Sequence, residues 1–271
     1  MRIRMVVLLT VLASAGVPLQ TRAQERQPGV TVTFLANEGV LLTAGDRKVL
    51  IDALFEKYKT GFALPADSTR AALAAARAPF NDVDAVLFTH YHGDHFHPAP
   101  LAAHMRANPR ATLLASGQVI DSLKGRLSAR DPITNRVRAR SLARGTKQRE
   151  VVNGISIDLL GLPHGGRPDV QHLGFIVELG GRRVLHLGDA DFNAQTFAHL
   201  RLDTMRIDVA LVPDWALLDG QSRQIVQRWI RPRQIVAIHV MEGEGERVAR
   251  AVQRVLPRAV TFVQPLETRT W

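Results

Sequence analysis

The chain has 271 residues, of which 46% are hydrophobic and 22% charged, enough for one sizeable domain or at most two small ones. It contains no Cys, which excludes disulfides, a thiolate metal ligand and a lipid-modified Cys anchor. A formal charge of +10 favours anionic partners or substrates; that concerns encounter and solubility, not the chemistry performed.

Met1-Arg2-Ile3-Arg4-Met5 is a basic start, and Val6 to Leu19 is an apolar stretch too short and interrupted to span a bilayer. Thr21 and Ala23 place small residues at −3 and −1 of a cleavage site. Residues 1–23 therefore read as a secretory signal peptide, with 24–271 as a single mature domain that is exported, periplasmic or secreted. Loss of Arg2, Arg4 and Arg22, with no acid, lowers the charge from +10 to +7.

Val30 to Leu35 alternates as a strand. Val40-Leu41-Leu42-Thr43 and Lys48-Val49-Leu50-Ile51-Asp52 form a hairpin about a Gly-containing turn. Asp52 reads as a cap or loop support rather than a partner of a metal site. Residues 53–66 are a loop carrying Phe55, Tyr58 and Phe62. Asp67 and Ser68 are N-cap candidates for a helix over Thr69 to Arg77.

Val83-Asp84-Ala85-Val86-Leu87-Phe88 is a buried strand, and it runs straight into Thr89-His90-Tyr91-His92-Gly93-Asp94-His95. Three imidazoles and a carboxylate within six residues suit a divalent metal. His90 and His92 point to one side of an extended segment, and Gly93 permits a turn. Asp94 and His95 then face a second point in space. One metal leaves some of these groups unused, while two use them all.

Beyond the cluster, Pro100 to Ala107 and Gln118 to Leu127 read as helices and Ala111 to Ala115 as a strand. From Lys124 to Arg149 there are nine basic residues and only Asp131 as an acid. This segment reads as a solvated basic face; the alternative is a docking surface for phosphate. It lacks the aromatic interleaving of a nucleic-acid groove. A second hairpin, Val151 to Leu160, leads to His164 in a Gly-rich loop, and a third, Leu173 to Leu187, leads to Asp189 and Asp191. Strands at Val209 to Val212 and Ile235 to Ile238 end at Trp215 and His239. Helices are expected over Gln224 to Ile230 and Glu244 to Leu256, before a last strand at Val260 to Val263. The pattern implies two sheets face to face with helices outside.

His90-x-His92-x-Asp94-His95 with His164, Asp189 and His239, each after an apolar run, closely resembles the metallo-β-lactamase superfamily over residues 30–265. The resemblance implies an α+β fold, a four-layer αββα sandwich with the site at one edge. It implies two divalent ions, zinc first, with manganese or iron as alternatives. His90, His92 and His164 would hold the first ion, Asp94, His95 and His239 the second, and Asp189 would bridge them. Asp94 would also orient the hydroxide that attacks the substrate. With Asp189 and no Cys, the chain looks like the hydrolase and phosphodiesterase branch, closest to lactonase-like and N-acyl phosphatidylethanolamine phospholipase D-like members. The expected function is hydrolysis of an ester or lactone carbonyl. A lipid or nucleotide phosphodiester is the alternative, supported only by the basic segment. A metal-binding protein without turnover is the rival from another class. The substrate is expected to be a small molecule or lipid, anionic in one variant of the reading, with no specific nucleic-acid partner and no transmembrane segment in the mature chain. His172, Asp191 and Trp215 are candidate substrate contacts, with Asn193 and Met241 as further pocket-lining candidates. His97 and His186 read as structural.

Overall fold

The computed structural model describes residues 29–56, 59, 61–128 and 130–271; the expected signal peptide lies outside the described residues. The first half gives strands β1 (Thr31–Ala36), β2 (Gly39–Ala44), β3 (Arg47–Ile51), β4 (Ala85–Phe88), β5 (Thr112–Ser116) and β6 (Val137–Arg140). The second gives β7 (Lys147–Val152), β8 (Ile155–Leu162), β9 (His172–Leu179), β10 (Arg182–His186), β11 (Val209–Pro213), β12 (Gln234–Ile238) and β13 (Val260–Thr261). A terminal strand, β14 (Thr268–Thr270), returns to the first sheet. The two seven-stranded sheets run in the order β14-β1-β2-β3-β4-β5-β6 and β13-β12-β11-β10-β9-β8-β7.

Period-2 geometry explains the continuous apolar runs. In β4, Ala85 and Leu87 face the second sheet, while Val86 and Phe88 face helices. In β11, Val209 and Leu211 point inward, and Ala210 and Val212 outward. Outside the first sheet lie α1 (Asp67–Ala74), α2 (Pro98–Ala107) and α3 (Gly117–Lys124). Outside the second lie α4 (Ala194–Leu200), α5 (Asp214–Leu218), α6 (Gly220–Ile225) and α7 (Gly245–Val255). Leu101 and Met105 of α2 and Val248 and Val252 of α7 bury their apolar faces on the outer surfaces. This is the expected αββα sandwich.

Several local expectations shift. Neither Asp67 nor Ser68 caps α1; its N-cap is Ala66, without a side-chain bond. The helix expected over Gln224 to Ile230 is a wider turn, Val226–Ile230, continuing the short α6. The edge strands β6 and β14 and the helices α4 and α5 were not expected. β14 is polar and exposed, and β6 alternates apolar residues with arginines and buries none of them fully, so no buried face marks either in sequence.

The topology places the site. Parallel pairing of β3 with β4 matches Leu50 to Val86 and Ile51 to Leu87, so both strands end together. β10, β11 and β12 are parallel and in register, so His186, Pro213 and Ile238 finish at one edge. At this edge ligands collect in α/β sheets.

Candidate metal centre

The loop after β4 delivers His90, His92, Asp94 and His95. The loop after β8 delivers His164, the one after β10 Asp189, and the one after β12 His239. The donor atoms of His90, His92, His164 and Asp189 all lie within 4.8 Å of one another, as do those of Asp94, His95, Asp189 and His239. The two groups share only Asp189. Its Oδ2 lies 3.8 Å from His90 Nε2 and 3.6 Å from His164 Nε2. Its Oδ1 lies 3.4 Å from His95 Nε2 and 3.2 Å from His239 Nε2. Asp94 Oδ2 closes the second group, 3.4 Å from His95 Nε2 and 3.6 Å from His239 Nε2. His90 Nε2 and His92 Nδ1 are 3.0 Å apart.

The far side of each ring fixes which nitrogen faces the cavity. Thr89 gives its hydroxyl proton to Asp52 Oδ2 at 2.6 Å, so His90 Nδ1 donates to Thr89 Oγ1 at 3.0 Å and leaves Nε2 free. His95 Nδ1 donates to Asp52 Oδ2 at 3.0 Å, and His164 Nδ1 to the Gly165 carbonyl at 2.8 Å. Asp52 also accepts from Thr89 N at 2.8 Å. Asp52 is thus more than a loop cap: directly for His95, and through Thr89 for His90, it orients two rings. Register makes this possible, because Asp52 N reaches the Leu87 carbonyl and so lies beside Thr89.

The chemistry of the donors fits divalent ions. His95 Nε2, His164 Nε2, His239 Nε2 and Asp189 Oδ1 are buried without a hydrogen-bond partner. Such groups are costly unless something binds them. An all-imidazole and carboxylate set suits zinc, manganese or iron alike. In the metal-free chain the charges lean on one another. Burial pulls the His239 imidazole down, but the facing carboxylates of Asp189 and Asp94 override it and push it up to about 9. His95 is likewise raised against burial by Asp189, Asp52 and Asp94. Burial would raise Asp94 and Asp189, yet the facing imidazoles hold both carboxyls below the usual range. His90 is lowered, mainly by burial.

Three non-glycine residues around the centre have left-handed backbones, Asn37 (φ 51°), Asp52 (φ 47°) and His239 (φ 60°). Such φ values are uncommon outside Gly, Asn, Asp and His. Asn37 accepts His239 N at its carbonyl and donates from Nδ2 to Asp94 O and Oδ2 at 3.1 and 3.3 Å. It therefore ties the β1–β2 turn to both sheets' ligands. Next to it, Glu38 is fully buried with both oxygens unpartnered; its Oε2 lies 3.9 Å from His95 Nδ1 and from His186 Nδ1. Burial pushes the Glu38 carboxyl up to about 8. Asn37, Glu38 and Thr89 were not singled out from sequence. A polar pair in a turn between two apolar strands was the only available signal.

The other candidates are scattered. His172 is buried at the start of β9, its ring 5.2 Å from His90 and 5.7 Å from His164, and burial lowers it to about 3. Asp191 is exposed, its amide bonded to the Pro163 carbonyl. Asn193 caps α4 through Gln195 N and Thr196 N. Trp215 is 39% exposed with its ring edge-on to Phe192, and Met241 is 42% exposed. Phe62 meets the His239 ring edge-on at 5.6 Å and bridges to Met241. Phe55 packs back into the core. His186 and His97 are structural, as expected: His186 Nε2 donates to the Glu38 carbonyl, and His97 caps α2.

Comparison with known proteins gives the family and the fold. The family model described as a beta-lactamase superfamily domain matches residues 47–262. A metal-dependent hydrolase of Thermus thermophilus is 27% identical over 213 residues, covering 78% of this chain and 83% of its own. The metallo-beta-lactamase fold protein YhfI of Bacillus subtilis superposes with a TM-score of 0.60 at 13% identity, over 90% of this chain and 100% of its own. An isothiocyanate hydrolase from Delia radicum gut bacteria gives 0.62 at 15% identity, over 89% and 99%. The last two establish the fold alone. The chain belongs to the metallo-β-lactamase superfamily and is a metal-dependent hydrolase.

Proposed function

We propose that the protein is an exported hydrolase with a binuclear centre, zinc being the first choice of metal, that opens an ester or lactone carbonyl. One observation carries the binuclear reading: the two oxygens of Asp189 face different histidine pairs, 3.6–3.8 Å on one side and 3.2–3.4 Å on the other. His90, His92 and His164 would hold one ion and Asp94, His95 and His239 the other, with Asp189 between. Ions bound there would supply an activated water and polarise the oxygen that gathers charge.

The chain's own groups do the rest. Asp52 and Thr89 hold His90 and His95 in one tautomer each. Asn37 pins Asp94, leaving that carboxylate poised to orient the attacking water. Phe62, Met241 and Trp215 follow or flank ligand-bearing loops with apolar surface, which suits an acyl group or lactone ring better than a phosphodiester.

The phosphodiester alternative rested on the basic segment, and that segment is largely spent within the fold. Arg136 donates to the carbonyls of Met105, Asn108 and Ala111. Arg138 and Arg140 pair with Glu150, and Arg149 with Asp158. Lys147 donates to the Leu200 carbonyl.

The test is side-by-side hydrolysis of a simple lactone and a chromogenic phosphodiester by the chain from Gln24, loaded with zinc or manganese. Metal-dependent lactone turnover is expected. Phosphodiester turnover alone would overturn the carbonyl reading, and full metal loading with neither reaction would identify a binding protein. Export is tested separately by whether the N-terminus of the protein recovered from its cells begins at Gln24.

A further inference from the structure

The basic residues of this chain fall into two populations. Those of the 124–149 segment mostly hold the fold together. A second set lies at the other end of the second sheet, on the loops that enter its parallel strands. Arg206 precedes β11, Arg231 and Arg233 precede β12, and Arg258 precedes β13; all four are exposed. Because the metal-centre residues leave the C-terminal ends of β10 and β12, this face points away from the centre.

Its shape and lining are specific. Arg231, Arg233 and Arg258 surround a concavity of about 440 Å³ whose apolar wall includes Ile235, Leu256 and Pro257. Arg233 is shared with an adjoining cavity of about 250 Å³ that also holds Arg182 and Arg206. The acids in reach are Asp208, which Arg233 meets at 3.1 Å, and Glu178, which Arg183 meets at 3.8 Å. No Asp or Glu occurs between Gly220 and Met241 or between Arg247 and Leu266. Apolar groups line the same concavity, with Pro232, Ile235 and Pro257 between the arginines, and Val255, next in sequence to its wall at Leu256, is 39% exposed.

We propose that this face is a peripheral docking surface for a membrane carrying anionic phospholipids. Guanidinium forks match headgroup phosphates. Pro232 and Pro257, which line the concavity, and the exposed Val255 suit the boundary between headgroups and acyl chains. A nucleic acid or acidic polysaccharide would use the charge and leave the apolar groups without a role, and the face presents no row of exposed aromatic rings for stacking bases. Docked in this way, the protein holds its metal centre on the side facing water, open to soluble substrate.

The experiment is cosedimentation of the full chain with vesicles of phosphatidylglycerol and phosphatidylcholine in equal parts, and with phosphatidylcholine alone. The patch variant is R231Q/R233Q/R258Q, and the control is K124Q/R126Q/R144Q, which removes the same charge elsewhere. Any contribution of residues 1–28 is common to all three proteins. Anionic vesicles are expected to bind the parent and the control in a salt-sensitive way. The patch variant should partition on the order of 100-fold less, about fivefold per arginine. Thermal unfolding shows whether the triple variant is folded; if it is not, the single variants R231Q and R258Q each carry the fivefold expectation. Equal loss in patch variant and control, undiminished binding by the patch variant, equal binding to neutral vesicles, or binding to DNA or heparin but to no vesicle would each overturn the proposal.

Discussion

On one side of Asp189 stand His90, His92 and His164, three neutral donors. The second nitrogens of His90 and His164 are fixed by a hydroxyl and a backbone carbonyl. On the other side stand His95, His239 and a carboxylate of their own, Asp94, with the buried Asp52 directly behind His95. The first side is somewhat the more open: His92 and His164 are half-buried there and His90 is buried, whereas on the other side only His239 is half-buried and Asp94 and His95 are buried. The difference separates two tasks. The enclosed side has the charge to hold an ion firmly, whereas the open side depends on Asp189 for all its negative charge. Metal affinity follows ligand charge and the partners behind the ligands.

Removing Asp189 breaks the comparison most severely. Asp189→Ala leaves three uncharged donors on the open side and Asp94, His95 and His239 on the other. Metal content measured by mass spectrometry is expected to fall to at most one ion per chain. Hydrolysis should fall by more than the roughly 10–100-fold that loss of a ligand's outer partner costs. Two ions and near-normal turnover in this variant would refute the bridging role.

Acidity is the next lever. In the metal-free chain His239 is raised from 6.5 to about 9, so metal entry on that side must displace a proton. Because His95 on the same side is raised as well, apparent zinc affinity should climb at least about tenfold per pH unit towards 9, and a flat affinity over that range would contradict it. Folding stability runs the other way. The raised His239 contributes to the metal-free fold fully below pH 6.5, and that contribution is lost as pH rises through 9. Glu38, raised from 4.5 to about 8 by burial, acts with the same sign, because ionising it in the folded chain costs more as pH climbs through that window. Metal-free protein is therefore expected to melt at lower temperature at pH 9 than at pH 6.5.

Asp52→Asn sharpens the contrast. It weakens the direct support of His95 and, through Thr89, that of His90, so affinity should drop roughly 10–100-fold, most on the enclosed side. Thr89→Val touches mainly the open side. The smallest effect, about tenfold on one ion only, is expected there. Stepwise zinc titration of the two variants distinguishes them; identical profiles would mean that Asp52 and Thr89 do not divide the work in this way.

Much of this was legible in sequence because of where ligands sit relative to apolar runs. All seven expected ligands follow strands whose buried residues announce them, and the pairing of the second sheet, antiparallel from β8 through β9 to β10 and parallel from β10 to β12, then brings His164, Asp189 and His239 to the edge already marked by His90 to His95. The supporting groups were not legible in the same way. Asp52 reads as a strand-end cap until the β3–β4 register sets it against Thr89. Asn37 and Glu38 lie in a tight turn whose importance comes from contacts more than fifty residues away in sequence, such as Asn37 with Asp94. The basic 124–149 segment, read as a solvated face, is in part tied into the fold instead: its charge is conspicuous in one dimension, but Asp158 and the carbonyls of Met105 and Leu200, which bind it, lie elsewhere in the chain.

The most direct measurement is calorimetric titration of the metal-free protein with zinc, with the bound metal counted by mass spectrometry. Two ions per chain are expected, the first tighter and placed by the Asp94, His95 and His239 side, the second weaker. Saturation at one ion per chain, with full hydrolytic activity at that point, would contradict a centre built around the shared carboxylate of Asp189.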